Sequence, residues 1–226
     1  NLSLFRGMGR LALFLALITL AAGLAHIWLD LGHLDRIWKV YAQGNLTSVM
    51  AQIVWGYTIF GVLTALALAL TLHWLKAPAW LLRGVMLVGI PLALFLSGAV
   101  GALLGVQVAR PFWHVGLFPV QFPVFAVASS FALILAVWGF FGPRHDPRYG
   151  QQLFVLGVIT VSFQVIKTYF VWADFSQSIY GGLPMNVAAV NELLFGQYWW
   201  GFWILQGGVG SLLPVVILLM PRLARH

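Results

Sequence analysis

The run Arg110-Pro111-Phe112-Trp113-His114 sets a guanidinium and an imidazole four residues apart, with a proline and two aromatic rings between them. Arginine stays charged and aims several donors at anions or carbonyl oxygens. Histidine exchanges a proton near neutral pH. Together they could grip and titrate a small polar head group. The competing reading is an interfacial loop, with Arg110 on lipid phosphate and Trp113 in an aromatic belt. A second set is Thr19, Gly23, His26 and Asp30, whose spacings of four, three and four put them on one helical face. His26 lies one turn from Asp30, so the pair could hydrogen-bond and carry a proton; otherwise it merely ends a helix at an interface. A third set is Thr160, Gln164, Lys167 and Asp174, a polar stripe through an apolar run. A lysine at membrane depth is a functional candidate, and the stripe reads as a possible proton path. Snorkelling of Lys167 towards a nearby helix end is the competing account.

The elements that carry these residues are membrane spans. The chain is 62% hydrophobic and 8% charged, with a mean hydropathy of +0.95, whereas soluble domains are about one quarter charged. Six apolar runs reach the roughly 20 residues a span requires: residues 11–29, 49–72, 84–108, 118–141, 153–172 and 193–220. The expected fold is an all-α integral membrane protein, with residues 1–226 as one transmembrane domain. Continuous rather than alternating apolar runs argue against a barrel. Small residues four apart, Gly101 with Gly105 and Gly207 with Ser211, suggest close helix contacts. Pro214 is expected to bend the last span. The first residue is Asn1 and no cleavage site follows the first run, so that run reads as a span rather than a signal peptide. The chain is expected to begin inside a longer protein.

The net charge of +7 is spread over short connections, so it is no nucleic-acid footprint; the expected partner is the lipid bilayer. One side carries Arg6, Arg10, Lys76, Arg83, Arg144, Arg148, Arg222 and Arg225; the other carries Arg36, Lys39 and Arg110. The positive-inside rule places the first set, and both ends of the chain, in the cytoplasm. The expected location is a bacterial-type inner membrane. The outer side then holds Asp30, Asp35, Arg36, Arg110, His114, Asp174 and Glu192, together with the connection 173–191. There are no cysteines, which excludes thiolate-held iron–sulfur clusters within this chain. Haem b needs facing axial histidines. Only His26 and His114 could form an outer pair, with no second pair inside. No haem and no metal are expected.

The run Asp30–Trp38, the entry Asn45-Leu46-Thr47-Ser48-Val49-Met50, the Arg110–His114 knot and the run Gly196–Trp203 occur in this order and spacing. The set resembles the NrfD/PsrC-like family, the membrane subunits of polysulfide reductase and of the nitrite-reductase-associated quinol dehydrogenase. The resemblance covers nearly the whole chain. It implies a helical bundle without haem that exchanges electrons with the quinone pool (menaquinone or ubiquinone). It implies an extracytoplasmic iron–sulfur, ferredoxin-like partner, with a molybdopterin or cytochrome subunit beyond it, and proton movement as an added expectation. The chain would be the quinone-reactive subunit of a multi-subunit oxidoreductase. Carried over by position, Asp30, His26, Arg36, Arg110 and His114 surround the head group, with Gln164, Lys167 and Asp174 as the proton path. The family has eight or more spans, and six are counted here. The rival readings are a haem b anchor, a transporter or channel component, and a purely structural anchor.

Overall fold

The computed structural model describes residues 5–30, 32–45, 47–110 and 112–219, apart from the side chains of Arg6, Leu34, Leu218 and Leu219. Leu31, Leu46, Pro111, the Met220 end of the sixth expected span, and Arg222 and Arg225 lie outside the described residues. Among the described residues eight α-helices follow in order: α1 Arg6–Asp30, α2 Trp38–Ala42, α3 Val49–Thr71, α4 Ala79–Gly105, α5 Phe118–Phe141, α6 Tyr149–Tyr180, α7 Pro184–Phe195 and α8 Leu213–Leu219. A 3₁₀ turn, Leu34–Arg36, precedes α2, and a π-helical segment, Gly201–Leu212, runs directly into α8. Five of the helices, α1, α3, α4, α5 and α6, are long and apolar enough to cross a membrane; Gly201–Ile217 is a shorter apolar stretch. Large apolar side chains such as Leu87, Phe140 and Phe154 stand exposed on the helices. That is the pattern of helices whose outer faces meet lipid rather than water.

The chain divides into two compact units, Asn1–Leu103 and Leu104–His226. In the first, α1 packs on α3. Leu96 of α4 is 1% exposed and fits a notch that only Gly56 of α3 leaves open, since a Cβ there would run into the Leu96 side chain. Tyr41 fastens α2 to α3: its hydroxyl lies 3.0 Å from Thr58 Oγ1 and its ring meets Trp55 edge-on at 5.3 Å.

In the second unit α5 and α6 form the main pairing. At their connecting end the Trp138 indole N–H donates to Gln152 Oε1 at 2.8 Å in a buried setting, and the Tyr149 hydroxyl donates to the Gly139 carbonyl at 2.8 Å. Further along, Phe131 stacks on Phe163 at 6.5 Å. The fifth expected span, 153–172, proves to be the middle of a 32-residue helix. Asp174, Ser176, Gln177 and Ser178 end the apolar count, but nothing there breaks a helix before Gly181 and Gly182, the latter at φ +69°. Most of the expected loop 173–191 is therefore helix.

The sixth expected span, 193–220, is broken. α7 ends at Phe195, and Gly196 is extended. The Glu192 carboxylate turns back over this corner and accepts the Gln197 N–H at 2.9 Å; a Cβ on Gly196 would strike that carboxylate. The Trp203 indole N–H donates to the Leu194 carbonyl at 3.0 Å across the same corner. The π segment gives way to α8 at Leu213, beside Pro214. A proline offers no N–H to the turn before it, and where a bend was expected at Pro214 the helix changes type.

Candidate functional site

Five parts of the second unit line an open cavity of about 630 Å³. Phe112 and Trp113 come from the loop before α5, and Phe118, Gln121, Phe122 and Phe125 from α5. Val171, Asp174 and Phe175 come from α6, Leu193 from α7, and Tyr198, Phe202 and Gln206 from the corner and π segment. The rings line it in two groups. Phe112 meets Phe175 at 6.4 Å, and Phe175 stacks on Phe202 at 5.2 Å and 27°. Phe118 meets Phe122 at 5.8 Å. Such a wall offers flat apolar faces and edges to a planar ligand.

Polar groups in the lining are few, and one is unsatisfied. Asp174 is 8% exposed, and its Oδ1 finds no hydrogen-bond partner among the described residues. A buried carboxylate oxygen without a donor is costly. A ligand hydroxyl in the cavity would supply the missing donor. Gln121 is also buried; its amide donates to the Phe170 carbonyl at 3.5 Å, which sets α5 against α6 here.

Below Asp174 the α6 stripe faces inward as the spacing predicts. Thr160 is buried, and Gln164 and Lys167 are half-buried. The Gln164 amide donates to Ser211 Oγ at 2.8 Å, and the Ser211 hydroxyl donates to the Gln206 carbonyl at 2.9 Å. The small residue at 211 thus allows a close crossing of α6 and the π segment. Lys167 places its ammonium over the Phe125 ring, 5.7 Å from the centroid. It stands thirteen residues from the end of α6 at Tyr180, roughly 20 Å of helix.

The residues expected around a head group fall into both units. Arg110 and His114 are exposed and flank the two aromatics that line the cavity. The Arg110 carbonyl accepts the N–H groups of Trp113 at 2.8 Å and His114 at 3.2 Å, a tight turn, and its guanidinium sits 5.9 Å from the Trp113 ring centroid. His26, Asp30 and Arg36 belong to the first unit and are exposed. The His26–Asp30 pairing gives way to a local bond: His26 Nδ1–H donates to the Ala22 carbonyl at 2.7 Å. A carbonyl only accepts, so Nδ1 carries a proton in this bond. Arg36 stands 4.0 Å from Asp35.

With this geometry in hand, the comparison with known proteins is direct. Residues 4–226 match the family described as "Polysulphide reductase, NrfD". The chain belongs to the NrfD family. It is 29% identical, over 98% of its length, to a selenate reductase subunit of Mesobacillus selenatarsenatis, covering 60% of that protein. It is 22% identical, again over 98% of its length, to the Hdr-like menaquinol oxidoreductase integral membrane subunit of Archaeoglobus fulgidus, covering 56% of it. The chain thus spans a little over half the length of these curated relatives. It is a multi-pass membrane protein of this family.

Within this NrfD-family chain, charge-based reasoning missed most of the cavity wall. Gln121, Tyr198 and Gln206 carry no charge, and Phe175 and Phe202 look like ordinary span residues. The available signals were glutamines inside apolar runs and the Phe-rich start of α5. Asp174 was legible, but as the end of a path; the structure sets it in the cavity itself.

Proposed function

We propose that this chain is the quinol-reactive membrane subunit of a multi-subunit oxidoreductase, exchanging electrons between the quinone pool and an extracytoplasmic iron–sulfur subunit. The observation that carries the reading is the aromatic cavity with the orphaned Asp174 oxygen at its side. It fits a quinol head group: flat rings to lie against, and a carboxylate in need of a hydroxyl donor. The relatives' names, a selenate reductase subunit and a menaquinol oxidoreductase subunit, support the same chemistry; either menaquinol or ubiquinol satisfies it.

In the oxidising direction Asp174 accepts a hydroxyl proton, as a positioned base. The two electrons leave, one at a time, to the cluster of the partner subunit, which is reduced as the quinol is oxidised. Arg110 and His114 act from the loop that supplies Phe112 and Trp113: Arg110 adds positive charge beside the cavity, which favours the developing negative charge, and His114 receives the second proton on its way out of the cavity. We assign His26, Asp30 and Arg36 to proton release on the outer face. Gln164 and Lys167 continue the polar face of α6 inward, a route for proton movement coupled to electron flow. The membrane is the inner membrane, with both ends of the chain cytoplasmic, and a molybdopterin or cytochrome subunit stands beyond the iron–sulfur partner.

The test is quinol-linked turnover of the assembled complex with Asp174→Asn, an isosteric change. We expect a loss on the order of 100-fold, the scale of a positioned base, with the complex still assembled. Unchanged turnover would remove Asp174 from the reaction.

A further inference from the structure

We infer that Lys167 holds the second oxygen of a 1,4-dioxygenated ring whose first oxygen is held by Asp174. This rests on the quinol reading and adds which side chains grip the two ends of the head group. The argument begins with the register of α5 against α6. Gln121 bonds Phe170, Lys167 lies over Phe125, and Phe131 stacks on Phe163. Each step deeper along α5 is a step back along α6, so the helices run antiparallel. In this register Phe118 is level with Asp174, and Phe125 is level with Lys167. Both Phe118 and Phe125 line the cavity. The cavity therefore runs seven residues along the pair, about 10 Å. Lys167 is not itself part of the lining and meets it through the Phe125 ring, so its flexible side chain must swing past that ring to reach a bound oxygen. A six-membered ring with a hydrogen bond of about 2.8 Å at each para oxygen has a similar length.

The chemistry at the two ends is complementary. A carboxylate only accepts and an ammonium only donates. Asp174 has an oxygen without a donor. Among the described residues no carboxylate stands within ion-pair distance of Lys167, and its recorded neighbour is the Phe125 ring. A half-buried ammonium in the middle of a span calls for an oxygen acceptor. A ring with a hydroxyl at one end and an accepting oxygen at the other satisfies both groups. Val171 lies between them on α6 and lines the cavity, so the ring would rest against an apolar side chain.

The probes are menadiol and its one-oxygen analogue 2-methyl-1-naphthol. Binding is measured anaerobically by equilibrium dialysis against the full chain in nanodiscs, with empty nanodiscs subtracted. The wild-type chain should bind menadiol about tenfold more tightly than the naphthol, as expected for one hydrogen bond to a charged group. Lys167→Met should erase that preference, weakening menadiol about tenfold while leaving the naphthol within about twofold. Lys167→Arg should retain most of the preference. Should K167M not purify as a folded protein, Lys167→Gln is judged by the same ratio, with a loss of about threefold expected. Equal weakening of both probes, or of neither, would overturn the assignment. Failure of the wild-type chain to bind either probe would overturn the quinol reading itself.

Discussion

A carboxylate taken out of water needs partners for both oxygens or a reason to lack one. Asp174 sits under an aromatic wall with Oδ1 unpartnered among the described residues, and this argues for a ligand more strongly than any exposed charge in the chain. The rings make their own prediction. Phe175 contacts both Phe112 and Phe202, so Phe175→Ala should weaken head-group binding by about three- to tenfold, the worth of lost aromatic contacts. The change should appear in KM with kcat nearly unchanged, and a fall in kcat alone would contradict a stacking role. Arg110 and His114 stand exposed on the loop rather than in the cavity lining. Arg110→Ala should therefore lower turnover without abolishing menadiol binding, measured in the same nanodisc assay. Loss of all binding would place the guanidinium deeper than the fold does.

At the scale of elements, the five long helices were legible because an uninterrupted apolar run of about 20 residues has few other uses. What hydropathy could not report is where a helix continues after its apolar part ends. α6 runs on through Asp174 to Tyr180, since polar residues there do not oppose helix formation. It also could not report the break at Gly196, which depends on the Glu192 side chain folding back to the Gln197 N–H. The packing of α3 on α4 is equally invisible to hydropathy, because Gly56 reads as an ordinary span glycine. Gly56→Val should drive its side chain into Leu96 and cost about 1–3 kcal/mol of stability, typical of overpacking. Thermal melting in detergent checks this, and Leu96→Ala added to Gly56→Val should recover part of the loss, since the two side chains are in contact. A melting temperature unchanged by Gly56→Val would mean that the notch is loose.

At the scale of the whole molecule, the charge bias of the connections predicts the orientation. Arg83, Arg144 and Arg148 should face the cytoplasm, and the Arg110 loop and α7 the opposite side. Paired cytoplasmic and extracytoplasmic reporters inserted after Gly116 and after Gly142 should report opposite sides, with the Gly116 site outside. The cavity was only partly legible in these terms: Asp174 stood out, while the aromatic lining emerged only once α5, α6 and the π segment were brought together. The central claim is that the cavity around Asp174 receives the quinol head group. The most direct measurement is a high-resolution map of the purified membrane complex with a bound quinone or quinol-site inhibitor. The account predicts ring density against Phe112, Phe175 and Phe202, with one oxygen at hydrogen-bond distance from Asp174. Ligand density elsewhere, with this cavity empty at saturating ligand, would contradict it.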